Sequence, residues 1–480
     1  MHWRRSPGVI AACLLAVAAL NSAQAEQLVL DVGVSDPVMM SGEKATNYVR
    51  ISLTGFEVPS AAERPPVNTA IVIDKSGSMG GQKIVQAQNA AIEAVRMLRD
   101  DDIVSVILYA DSAEVLVPAT KATDRESIIA KIRSVQAQGS TALFAGVSKG
   151  ASEVRKFIDS ESVNRVILLS DGQANVGPKS PRELERLGAS LVKEGISVST
   201  LGLGLGYNED LMSRLALAGT GNHLFVEQAD DLVAVFRREF NDLMSVVASD
   251  FSIRIKIGDG IRPVRVLNTK ADISGQDISI PLAQLYSRQQ RYFVVEVEVD
   301  KGAHGSSRPM ADVAVEYQNL ISKTTDKLTS AVEVRFDQDQ KTVVNARDPE
   351  TFAFCQLQCA NEKNFQATAL RDAGRIEEAK SLLSGNAVQL QQINDTYRGS
   401  LKQGLIDELL RNVKMNRAQS ETIEDPSKWI KSRKSMRAEQ VKNAAQQSIR
   451  VNDSKPGEKD NSKSSGSLKS DDQKSGDNRR

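Results

Sequence analysis

The stretch VIDKSGSMGG, residues 72–81, closes a short apolar run and sets one carboxylate and two hydroxyls, Asp74, Ser76 and Ser78, among glycines. Three chemistries use such a turn: a phosphate cradle, an activated nucleophile and a metal site. A P-loop frame begun at Gly77 puts Gln82 where the second glycine belongs and Ile84 where Ser or Thr belongs, and Asp74 would repel a phosphate. A nucleophilic serine needs a base. His223 is the one histidine of the surrounding region, and it precedes the apolar LFVE, the setting of a satisfied core or edge histidine, so no triad assembles. A site for a hard divalent cation remains, because such ions take oxygen ligands and a D-x-S-x-S turn presents alternate side chains to one side.

Outward from that turn, residues 67–245 alternate short apolar runs with amphipathic segments of helical length: TAIVI, QKIVQAQNAAIEAVRML, IVSVILYA, ALFAGVSKGASEVRKFI, RVILLS, PRELERLGASLVKEG and ISVSTLGLG among them. Near-continuous apolar strands flanked by helices predict a parallel sheet covered on both faces, a doubly wound, Rossmann-like α/β fold. Ligands of such sheets sit beyond the carboxyl ends of the strands, where strand order reverses. Asp74 lies at one such end and Asp171, directly after RVILLS, at another; Thr141, in QGSTALFAG, opens a helix. GLGLG at 202–206 lacks a dinucleotide-binding frame and reads as a flexible strand end.

Asp74, Ser76, Ser78, Thr141 and Asp171, in this order on three loops, resemble the metal-ion-dependent adhesion site of a von Willebrand factor A (VWA) domain, over about residues 67–245. Helix capping explains Ser76 or Thr141 singly, not the five together. The resemblance implies that the serines, the threonine and an aspartate hold a divalent cation directly or through water, and that a Glu or Asp carboxylate of a protein partner completes the octahedron. With three neutral hydroxyls in the set, the cation keeps surplus positive charge that draws in an acidic side chain. Small octahedral geometry favours Mg²⁺, with Mn²⁺ or Ca²⁺ as alternatives. Lys75, Met79 to Gly81 and Asn175 to Gly177 are rim candidates. The implied function is a metal-dependent protein-binding module, an adhesion or scaffold protein and not an enzyme. Two rivals stay open: a purely structural ion with binding through the β or helical regions, and, ranked below it, hydrolysis by a metal-bound water.

Around this domain the texture changes. Residues 26–66 carry strand-like alternation in QLVLDVGVS and NYVRISLTGF, and residues 246–345 carry six more such runs. Together they predict an antiparallel β-sandwich that flanks the α/β domain or receives it as an insertion. Residues 346–419 read as helical, with ALRDAGRIEEAKSLLSGNA as a hairpin turning at Gly374, and 420–480 as a largely disordered tail. The order of parts resembles bacterial exported VWA proteins and, more loosely, inter-alpha-trypsin inhibitor heavy chains.

Residues 1–25 predict an export signal: Arg4 and Arg5, an apolar core from Val9 to Leu20 and the box Ala23-Gln24-Ala25, with the mature chain starting at Glu26 in a periplasm or outside the cell. Ile10-Ala11-Ala12-Cys13 resembles a lipobox, but too few apolar residues precede it for a lipoprotein. No later stretch approaches the roughly 20 apolar residues of a membrane span. With 61 basic and 61 acidic residues among 480, no global field recruits nucleic acid or an anionic bilayer. Past the signal, Cys355 and Cys359 are the only cysteines; they read as small buried residues or as a bridge across a helix end, and zinc lacks partners.

Overall fold

A computed structural model describes residues 27–58 and 64–445. The export signal, the lipobox-like segment and the chain beyond 445 lie outside the described residues.

Three strands come first: β1 (Val29–Val34), β2 (Val38–Met40) and β3 (Ala45–Thr54). The α/β domain follows, with β4 (Val67–Asp74), β5 (Ile103–Tyr109), β6 (Ala113–Lys121), β7 (Val163–Ser170), β8 (Ser197–Leu203) and β9 (Thr220–Val226). These pair in the order β6-β5-β4-β7-β8-β9, all parallel except β6. Every residue of β4, β5, β7 and β8 is buried, as the unbroken Val, Ile and Leu runs require of strands covered on both faces. Helices α1 (Gln82–Met97), α2 (Arg125–Arg133) and α6 (Leu232–Leu243) share a core with one face, through Ile71, Ile73, Ala91, Ile129 and Phe236. On the other face lie α3 (Leu143–Val154), α4 (Pro181–Val192) and α5 (Glu209–Ala218), packed on Ala70, Val72, Ile107 and Leu168. Strand order runs one way from β4 and the other from β7, so the crevice between their carboxyl ends, at Asp74 and Asp171, is the switch point of the sheet.

The chain then builds β10 (Val246–Ile257), β11 (Ile261–Val266), β12 (Asp272–Ser274), β13 (Asp277–Ile280), β14 (Gln284–Tyr286), β15 (Gln290–Val299), β16 (Ser307–Asn319) and β17 (Thr324–Asp337). One sheet has the order β1-β3-β15-β11, the other β12-β13-β10-β16-β17-β2 with β14 beside β10. Val49 of β3 pairs with Val295 of β15, so strands before and after the α/β domain share one sheet and the domain is an insertion in the sandwich. Alternation made most of these strands legible. The short β2, β12 and β14 were not, and β2 runs parallel to β17 in an otherwise antiparallel sandwich.

Five helices end the described chain: α7 (Gln340–Asn345), α8 (Pro349–Asp372), α9 (Ile376–Tyr397), α10 (Gln403–Thr422) and α11 (Pro426–Ala445). Gly374, at φ +80°, makes the predicted turn between α8 and α9. Phe354, Leu357, Leu390 and Leu409 join Tyr292 and Val294 in a core between helices and the four-stranded sheet. Cys355 and Cys359 sit within the unbroken α8 and are free thiols, not a bridge across a helix end.

The tail expectation needs correction, because residues 426–445 form α11 and pack against α8, α5 and β9. Its docking face is polar, which hid it from an apolar-period reading. Gln358 Nε2 donates to Asn443 O at 2.9 Å, Asn361 Nδ2 to Gln440 O at 3.0 Å and Gln440 Nε2 to Thr368 Oγ1 at 2.9 Å, all buried. Paired amides replace the apolar stripe and leave no desolvated donor on those bonds.

Candidate metal centre

The carboxyl end of β4 delivers Asp74, which is wholly buried. Its Oδ1 accepts Ser76 N at 2.8 Å; its Oδ2 accepts Ser170 Oγ at 2.7 Å and Tyr109 OH at 3.3 Å. Burial pushes the Asp74 carboxyl up from its ordinary value, the Ser76 and Ser170 hydrogen bonds oppose that, and the charge of Asp171 adds to it. Two carboxylates held this close in a dry crevice repel one another, and a divalent cation is a species that offsets both.

The turn after Asp74 brings Ser76 Oγ within 3.1 Å of Ser78 Oγ, and Ser78 Oγ donates to Asp171 Oδ1 at 2.7 Å. Ser76, Thr141 and Asp171 are buried, whereas Ser78 is exposed at the mouth. Thr141 comes from the loop before α3, which is tied to the loop after β7: Thr141 N donates to Asn175 Oδ1 at 2.7 Å and Asn175 N to Thr141 O at 3.1 Å.

Gly172 is the floor that lets these loops meet. A Cβ built there would lie 3.1 Å from Thr141 Oγ1, 3.5 Å from Ser78 Oγ and 3.6 Å from Asp74 Oδ2. One atom-sized space above Gly172 therefore faces an oxygen from each of the loops after β4 and before α3, beside Asp171. Among the described residues no group of three or more His, Cys, Asp and Glu could hold a metal; this donor set is of another kind, two carboxylates and three hydroxyls. Hard oxygen donors of these kinds suit Mg²⁺-type chemistry.

The rim expectations divide. Lys75 is paired with Glu114 at 2.6 Å, and Gly80 and Gly81 are exposed. Met79 is fully buried in the core against α1 and is not at the rim, because the tight 3₁₀ turn of Gly77–Met79 points the apolar side chain inward. His223 is buried, with Nδ1 2.9 Å from Thr200 Oγ1 and Nε2 3.4 Å from Tyr207 OH, a satisfied core residue.

Asn175, a rim candidate, is exposed beside the site and holds the Thr141 loop; sequence reasoning missed Ser170, Tyr109 and Lys83. Ser170 precedes Asp171 in LLSDG and alternation gave it no partner; only the adjacency of β4 and β7 brings its hydroxyl to Asp74. Lys83, in the first turn of α1, reaches back to Asp171 Oδ2 and to Ser78 O. GLGLG, read as a flexible strand end, closes the crevice from behind: a Cβ on Gly206 would lie 3.0 Å from Asp171 O, and Asn208 N approaches Gly172 O at 3.4 Å.

A switch-point crevice lined by a D-x-S-x-S turn, a threonine and a second aspartate defines a class, and residues 68–238 match the family model of the von Willebrand factor type A domain. The uncharacterised protein YfbK of Escherichia coli K12 is 30% identical over 196 residues, 40% of this chain and 34% of that protein. Human inter-alpha-trypsin inhibitor heavy chain H3 is 29% identical over 175 residues, 35% of this chain and 20% of its own length. The matched segment thus spans about a third or less of these two relatives. A von Willebrand factor type A structure from Catenulispora acidiphila superposes with a TM-score of 0.68 at 17% identity, covering 88% of this chain and 97% of that one, a likeness of fold that extends well beyond the α/β domain. VWA domains are protein-interaction modules and commonly hold a divalent ion. No helix among the described residues is long and apolar enough to cross a membrane.

Proposed function

We propose that this chain is a metal-dependent protein-binding module: Asp74, Ser76, Ser78, Thr141 and Asp171 hold a divalent cation, Mg²⁺ foremost, and a Glu or Asp side chain of a partner protein takes an open ligand position. The convergence of Thr141, Ser78 and Asp74 oxygens on the space above Gly172 carries this reading. When bound, the ion supplies a positive charge that a carboxylate can reach from solvent past the exposed Ser78. The chain's own residues do the rest. Ser170 and Tyr109 fix the Asp74 carboxylate, Asn175 locks the Thr141 loop, and Gly206 backs Asp171.

An interaction role, not hydrolysis, is also supported by His223, whose ring is occupied in the core and gives the site no base. Export to a periplasm or the medium rests on residues 1–25 and is tested by N-terminal sequencing of the mature protein, expected to start at Glu26. For the metal, calorimetric titration of Mg²⁺ and Mn²⁺ into chelator-treated protein is expected to show one site, lost in Asp74→Ala. Capture of a partner from envelope extract is expected to fail with EDTA. Capture indifferent to both chelator and Asp74→Ala would overturn metal-mediated binding; cation uptake that raises the melting temperature without affecting capture would make the ion purely structural.

A further inference from the structure

Lys83 stands where a helix tolerates a cation least. It is the second residue of α1, whose first turn holds no acidic residue, so the positive end of the helix dipole faces its ammonium. Its compensation comes from outside the helix: Nζ contacts Asp171 Oδ2, on a carboxylate buried in the crevice, and Ser78 O at 3.3 Å. The other Asp171 oxygen accepts Ser78 Oγ at 2.7 Å, and both Asp74 oxygens accept donors of their own. With Lys83 in place, each carboxylate oxygen of the crevice has a hydrogen-bond donor.

An ammonium and a doubly charged ion cannot share Asp171 without strong repulsion, because like charges a few ångströms apart in a partly dry crevice are poorly screened. Lys83 is the partner able to leave. Its side chain is 36% exposed while that of Asp171 is 0% exposed, its stem runs past the Gly204 turn, and a lysine head reaches water at small cost.

We propose that Lys83 is a tethered stand-in cation that exchanges with the divalent ion at Asp171 and, once displaced, presents its ammonium at the mouth of the site beside the incoming acidic side chain. This rests on the metal-binding reading above and adds to it. Ion loading then changes two charges together: the crevice gains the ion, and the rim gains a free cation. Lys83 weakens cation binding and couples loading to the appearance of an anion-attracting surface.

The test compares wild type, Lys83→Met and Lys83→Arg as full chains, by calorimetric titration with Mg²⁺ alone and by thermal melts in EDTA. Lys83→Met is expected to bind Mg²⁺ about ten-fold more tightly than wild type, because it removes a competing charge whose repulsion partial exposure keeps modest. It should also melt a few degrees lower in EDTA, where its stand-in is gone. Lys83→Arg keeps the charge and is expected to match wild type in both. Equal or weaker Mg²⁺ binding by Lys83→Met, or an unchanged melt in EDTA, overturns the exchange and leaves the metal site standing. Absence of Mg²⁺ uptake in all three proteins overturns the exchange and the metal reading together.

Discussion

Arg165 on β7 and Glu239 on α6 form an ion pair at 3.0 Å with both side chains wholly buried. The same guanidinium donates to Ser197 Oγ at 2.9 Å, to Gln284 Oε1 at 2.7 Å and to Tyr286 OH at 2.6 Å, the last two on β14 of the sandwich. One side chain thus joins strand, helix and the neighbouring domain. Arg165→Met leaves Glu239 buried without its counter-charge and is expected to cost about 3–5 kcal/mol. Urea unfolding followed separately in the two domains should show the α/β domain losing its shared transition with the sandwich; a single unshifted transition would refute the coupling.

Gly172→Ala places a methyl group among Thr141, Ser78 and Asp74 oxygens at 3.1–3.6 Å. If the ion sits there as proposed, Mg²⁺ affinity is expected to fall at least about ten-fold, because an ion and a methyl would compete for one space and metal–oxygen distances leave the ligands no slack. Circular dichroism should stay that of wild type. Retention of full affinity would move the ion elsewhere.

On α11, Lys434 Nζ donates to Glu209 Oε2 at 2.5 Å and Tyr207 O at 2.7 Å, while Arg433 reaches Glu209, Asp210 and Asp372. Burial works against the charged form of Glu209, yet the Lys434 and Arg433 hydrogen bonds hold its carboxyl below the ordinary value of 4.5. A lowered acid contributes stability above its unfolded value and loses it as pH falls through the folded one. Release of α11 is therefore expected below about pH 4.5, and at neutral pH in Lys434→Met at a cost of about 3 kcal/mol. Limited proteolysis near Pro426 reads both.

His223 is pushed down from 6.5 to about 3, first by burial, with Glu209 raising it and Lys434 lowering it. The folded ring stays neutral where the unfolded one takes a proton. Its contribution is complete above about pH 6.5 and is lost progressively as pH falls toward about 3. Between pH 6.5 and 4.5 the loss is about 2 kcal/mol, at about 1.4 kcal/mol per unit. Urea midpoints across that range should slope for wild type and flatten for His223→Gln; parallel slopes would refute the assignment.

Much of this was legible in the chain itself. Unbroken apolar runs such as TAIVI and RVILLS announced strands buried on both faces, and the five oxygens fell where a doubly wound sheet keeps its ligands. What escaped depends on contacts that no local period records. Ser170 has meaning only beside Asp74 on the neighbouring strand. Lys83 reads as one more charged residue of an amphipathic helix until its head is seen on Asp171. α11 docks through Gln440, Asn443 and Lys434, residues whose types signal a solvated surface.

The pairing of Val49 with Val295 sets the order in which this molecule can be made. β3 leaves the ribosome long before β15 exists, so one edge of the N-terminal hairpin stays without its neighbour while the whole inserted domain is synthesised. Such distant contacts slow folding, and an open strand edge is a template for association with other chains. The waiting hairpin is thus where a chaperone would be needed most, and truncations ending soon after the insertion are expected to aggregate through β3 even when the inserted domain itself has folded.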